Sequence, residues 1–194
     1  MTTYIEYLKK ELNILKKHLN TSRVVTQMHF GGGTPTYFSP EQLEEVINAV
    51  KEIFPNFASD AEVSCEVDPR HFTVEHMNVL KAGGCNRLSF GVQDLDEEVQ
   101  KTIHRIQPFE LTQNVINIAR NAGIHSVNTD LIYGLPHQTR ESFKKTLEKM
   151  LTLNTDRFAV FNYAHVPWLM KTMRKFDEST FPKPETKLEM LKDT

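Results

Sequence analysis

The chain has 194 residues, 39% of them apolar and 25% charged, with a net charge of −2 and a pI near 6.4. That balance is ordinary for a globular protein with one sizeable core, and it gives no sign of a broad basic surface for nucleic acid. No apolar run approaches the roughly 20 residues that span a bilayer and no secretory signal is visible, so a cytoplasmic protein with neither a membrane nor a nucleic-acid partner is expected.

Ile5, Leu8, Leu12, Leu15 and Leu19 recur at steps of three and four among lysines, which predicts an opening amphipathic helix. A helix is an odd start for alternating βα units, so a strand and loop before it are expected to be missing. The alternating run from Val24 to Phe30 predicts a strand. It ends in Gly31, Gly32, Gly33 and Thr34. A glycine turn there is either a tight connection or a place where backbone N–H groups approach a polar ligand closely. Ser39 and Pro40 suit a helix start, with Leu43, Val46, Ile47 and Val50 as its buried stripe. Glu62 to Val67 reads as the next strand, closed by Asp68-Pro69. Thr73 then caps a helix that holds Met77 and Leu80 and stops at Gly83-Gly84.

Asn86 to Val92 predicts a third strand whose end carries Gln93 and Asp94. A short helix between Asp96 and Gln107 runs out at IHRIQP, and Leu111 to Ala122 predicts a longer one with Val115, Ile118 and Ala119 inward. Ser126 to Tyr133 is the fourth strand, turned over by Gly134-Leu135-Pro136 into a helix from Glu141 to Leu151. Arg157 to Tyr163 is the fifth. Beyond Ala164 the pattern loosens through HVPW, and Pro182 and Pro184 precede a last helical segment. Strands alternating with helices imply right-handed crossovers. The expected fold is therefore α/β: a partial TIM-like (β/α) barrel of parallel strands, one domain over residues 1–194, truncated at both ends.

Polar residues gather at the predicted strand ends: Gly31 to Thr34, Glu66 with Asp68, Gln93, Asp130, and Asn162 with Tyr163. In βα barrels that rim binds ligands. Each also has a plainer reading. Glu66 is placed either to pair with Arg70 or Arg87 or to accept from a ligand. Asp130 needs a partner in its apolar strand, and Arg105 suits carboxylate recognition or simple solvation. His29, His71, His104, His125, His137 and His165 show no metal spacing and read as structural or solvent-facing. Cys65 and Cys85 read as two buried thiols.

The motifs GGGTPTYF, EVDPR, NRLSFGVQD, HRIQ, TDLIYGLPHQT and FNYAHVP, in that order, resemble the oxygen-independent coproporphyrinogen III oxidases, radical S-adenosylmethionine enzymes of heme biosynthesis. EVDPR, GVQD and FNYAHVP favour that family over the related heme-chaperone branch. The resemblance implies an oxidoreductase in which a [4Fe–4S] cluster, fed by an electron donor protein, reduces S-adenosylmethionine. The resulting deoxyadenosyl radical takes hydrogen from a propionate of coproporphyrinogen III, decarboxylation leaves a vinyl, and two such rounds give protoporphyrinogen IX. It places S-adenosylmethionine on Gly32, Gly33, Thr34, Glu66, Gln93, Arg105, Asp130 and Ala164, and makes Arg70 and Arg87 candidate substrate contacts. No residue of the chain is singled out as catalytic or as a metal ligand.

Two departures matter. The family holds its cluster with CxxxCxxC on a loop that this sequence lacks, and two separated cysteines do not supply three thiolates. His104 and Ile106 also stand where the family usually has asparagine and glutamate. The chain alone is therefore expected to have no turnover and to bind S-adenosylmethionine weakly. A cluster-free relative that binds heme or a nucleotide is the alternative.

Overall fold

The computed structural model describes residues 1–194. The chain opens with α1 (Thr2–His18), β1 (Val25–Phe30), α2 (Pro40–Ile53), β2 (Phe57–Val67), α3 (Val74–Ala82) and β3 (Arg87–Gln93). It continues with α4 (Glu97–Thr102), α5 (Phe109–Asn121), β4 (Ser126–Tyr133), α6 (Arg140–Leu151), β5 (Arg157–Asn162) and α7 (Pro184–Lys192). The five strands form one sheet in the order β1-β2-β3-β4-β5. Sequence order equals spatial order, and helical crossovers join the strands, as in consecutive βα units. β1 pairs with β2 in parallel, with a register shift between Val25 and Gln27, and β4 pairs with β5 in parallel from Asn128↔Arg157 to Tyr133↔Asn162. No helix is long and apolar enough to cross a membrane.

Contacts divide the chain into two compact units, Met1–Ser89 with Asn117–Val127, and Phe90–Ile116 with Asn128–Thr194. In the first, Leu43, Val46, Ile47 and Ile53 are the buried residues of α2. Its start is locked by a capping box: the Ser39 hydroxyl accepts from the Gln42 N–H, and the Gln42 side chain accepts from the Ser39 N–H. Val50, expected in the stripe, is half-buried and Ile53 takes its place. α1 buries only Ile5, while Leu15 and Leu19 are exposed. β2 starts at Phe57, five residues before the expected Glu62, because Ser59 and Asp60 are exposed and hide the strand pattern.

In the second unit α6 carries a capping box of its own, Thr139 with Ser142, and buries Phe143, Thr146 and Met150. Arg140 forks onto Asp193 at 2.7 and 2.8 Å and also reaches Glu189 at 3.2 Å, tying α6 to α7. On α5 the inward residues are Val115, Ile116 and Ala119, so Ile116 rather than the expected Ile118 takes the middle position.

Candidate functional site

In the first unit the turn after β1 lies beside the end of β2, because Phe30 and Cys65 are register partners and the next residues on each strand are Gly31 and Glu66. A Cβ on Gly31 would strike the His29 imidazole and come within 3.2 Å of Glu66 Oε1. At Gly32 and Gly33 a Cβ would meet nothing within 4 Å, and Gly32 has φ +94. The backbone of both therefore borders open space. Thr36 Oγ1 accepts from the Asp68 N–H at 3.4 Å, linking the turn's exit to the end of β2.

Glu66 faces neither arginine suggested by the sequence. Its Oε1 lies 3.5 Å from His29 Nε2, while His29 Nδ1 is 2.8 Å from Ser64 Oγ. Ser64, His29 and Glu66 thus have the connectivity of a hydrolytic triad. Ser64 is only 8% exposed, however, so its hydroxyl is not presented as a nucleophile, and His29 is simply the neighbour that the half-exposed Glu66 meets. Arg70 is held by Asp68, through Nε at 3.0 Å and Nη2 at 2.7 Å, and the Asp68 hydrogen bond raises the guanidinium pKa. Arg87 pairs with Glu62 at 3.1 Å.

In the second unit Gln93 ends β3 and is half-buried, and Arg105 donates to the Gly91 carbonyl at 2.8 Å, which brings it to the same strand. Asp130 lies within β4 rather than at its tip. It pairs in register with Ala159 and accepts from the Asn128 amide at 2.7 Å. Ala164 is exposed, just past β5, and the preceding Tyr163 N–H donates to the Tyr133 carbonyl at 2.8 Å. Geometry thus groups the glycine turn with Glu66, and Arg105 with the end of β3.

The sequence reading missed the polar core of this unit. Asp94 is fully buried and accepts from the Asp96 N–H at 2.7 Å, the Thr146 hydroxyl at 2.8 Å and the Gln138 amide. Gln138 Oε1 in turn accepts from the Gly134 and Leu135 N–H groups, at 2.5 and 3.2 Å, fixing the loop after β4. Gln100 donates to the Asp94 and Gln107 carbonyls and accepts from the Gln107 N–H at 2.8 Å. The available signal was the repeated glutamine in EEVQ, RIQP and PHQT, at Gln100, Gln107 and Gln138.

No group of three or more His, Cys, Asp or Glu side chains is placed to hold a metal ion. Cys65 and Cys85 are both free and buried, and burial pushes the Cys85 thiol up to about 11 and the Cys65 thiol higher still. Neither the count nor the ionisation fits a thiolate-held cluster. The open glycine backbone beside a half-exposed carboxylate does fit a polar ligand with hydrogen-bond acceptors and a cationic group.

The radical SAM superfamily profile matches residues 3–150. The oxygen-independent coproporphyrinogen III oxidase of Helicobacter pylori is 63% identical over 188 residues, covering 97% of this chain and 41% of that protein. The enzyme of the same name from Escherichia coli K12 is 44% identical over 191 residues, with 98% and 41% covered. The solved structure of the Escherichia coli coproporphyrinogen III oxidase, described as a radical SAM enzyme, superposes with a TM-score of 0.94 at 42% identity over 99% of this chain and 44% of that one. That match bears out the α/β, partial TIM-like barrel. The chain spans about two fifths of the length of the curated relatives it matches.

Proposed function

Because this chain belongs to the radical SAM superfamily, we propose that it is the S-adenosylmethionine-binding part of a cytoplasmic coproporphyrinogen III dehydrogenase. The observation that carries the reading is the glycine turn: at Gly32 and Gly33 the backbone borders open space, next to Glu66. Residues 1–194 are read as a single domain of that enzyme, since the profile match runs through both compact units.

On this reading the N–H and carbonyl groups of Gly32, Gly33 and Ala164 and the Thr34 hydroxyl meet the polar edges of the methionyl and adenine groups. Glu66 and Asp130 accept from the ammonium or the ribose hydroxyls, Gln93 both donates and accepts, and Arg105 takes the carboxylate. Bound S-adenosylmethionine supplies hydrogen-abstraction chemistry, here directed at a propionate of coproporphyrinogen III. The protein's part is to hold the ligand in one orientation. The [4Fe–4S] cluster and its electron donor belong to the reaction of the whole enzyme, and the thiolates that would hold the cluster are not among these residues.

The test is calorimetric titration of the chain with S-adenosylmethionine. Weak saturable binding that Gly33→Val abolishes is expected, with no turnover of coproporphyrinogen III by the chain alone. Heme binding on the same sample, without S-adenosylmethionine binding, would instead support the cluster-free alternative.

A further inference from the structure

β3 ends in a turn of unusual geometry. Gln93 has φ +68, a region that residues other than glycine rarely occupy, and the Asp94 N–H donates to the Val92 carbonyl at 2.9 Å. A hydrogen bond closed over one residue of positive φ is the rare, strained form of the γ-turn. Strain of this kind persists only where the surroundings over-determine it. Here the next residue does so. Asp94 is 0% exposed. Its Oδ1 accepts from the Asp96 N–H and the Thr146 hydroxyl, its Oδ2 from the Gln138 amide, and its carbonyl from Gln100. The Thr146 hydroxyl also accepts from the Leu95 N–H at 3.2 Å.

A carboxylate is an expensive group to bury, and an apolar residue would fill the same volume at less cost. What the carboxylate adds is direction. Its partners come from the start of α4, from α6 and from the loop before α6, so the residue that follows Gln93 is fixed from three sides. We propose that Asp94 is a positioning residue which, with Gln138 and Thr146, clamps the Gln93 turn and sets the direction in which the Gln93 side chain leaves the strand toward its ligand. The clamp is a matter of this unit's geometry alone. Its purpose rests on the reading of Gln93 as an S-adenosylmethionine contact.

Two double-mutant cycles test it on the full chain. In the thermal cycle, Gln93→Gly relieves the strain and raises Tm by about 2 °C, and that gain disappears in the Asp94→Asn background, where the turn is already released. Thr146→Val, a milder lesion of the same clamp, shrinks the gain if Asp94→Asn does not fold. A gain of equal size in the wild type and in every clamp variant that folds overturns the clamp. In the binding cycle, Asp94→Asn weakens S-adenosylmethionine binding by about tenfold, and Gln93→Ala adds no further loss on top of it. Losses that multiply, or an unaltered affinity in Asp94→Asn, show a merely structural Asp94 and overturn the positioning role. Equal affinity in the wild type and Gln93→Ala instead overturns the ligand reading of Gln93, and with it the positioning role, while the thermal cycle still decides the clamp.

Discussion

Gly32 and Gly33 are neighbours with different physical demands. Gly32 sits at φ +94, where an alanine Cβ is strained whatever the space around it, whereas Gly33 has no positive φ and open space at its Cβ position. Gly32→Ala is therefore expected to lower stability by about 1–2 kcal/mol. Gly33→Ala should leave stability within about 0.5 kcal/mol of wild type yet, if the proposed site is right, weaken S-adenosylmethionine binding, since its Cβ enters the open space assigned to that ligand. Urea denaturation and calorimetry on the same two variants separate these outcomes. Equal stability losses would mean that the turn is only a connection. A run of three glycines looks uniform in the sequence, and the division of labour within it depends on a dihedral angle that composition does not encode. Glu66 is a similar case: Arg70 and Arg87 are the pairing partners its sequence position suggests, but Asp68 and Glu62 take them, leaving His29 as its neighbour.

The elements were largely legible because their ends are chemically marked. Ser39, Thr73, Asp96 and Thr139 each cap a helix with a side-chain oxygen. The polar core behind β3 was not legible, since Asp94, Gln138 and Thr146 are spread over some fifty positions and each alone reads as surface. Its signature should appear in pH dependence. Burial raises the Asp94 pKa above its ordinary 3.8, opposed by hydrogen bonds from Asp96, Gln138 and Thr146. The native state thus binds the proton more tightly than the unfolded chain. The stability this contributes is complete below the unfolded pKa and is lost as pH rises through the folded one. Asparagine does not titrate, and its amide sets a second donor against Gln138, which costs about 1–3 kcal/mol. The deficit of Asp94→Asn relative to wild type is therefore expected to widen as pH falls from neutral toward about 4. Urea denaturation across that range measures it, and a deficit independent of pH would place no raised carboxyl at this position.

For the whole molecule, motif order carried the family and the alternation of strand and helix carried the topology, while the sheet's limits follow from pairing alone. β1 and β5 end the strand order, and β5 exposes Phe158 and Phe161. An edge strand with exposed aromatics is a template for other chains. The purified chain is expected to self-associate with rising concentration, and Phe161→Lys to suppress this, as read by light scattering. A concentration-independent monomer would remove the edge as the cause.

The two buried cysteines have a practical consequence. Held as neutral thiols inside the first unit, they are hidden from an alkylating reagent until the surrounding core opens, so the pace of their modification in native buffer is a stopwatch for that opening. Cys65, wholly enclosed, should be labelled more slowly than Cys85 wherever the two are exposed by separate fluctuations. Mass spectrometry of timed samples would then chart which loosens first, β2 around Cys65 or the connection into β3 around Cys85, with no probe added to the sequence.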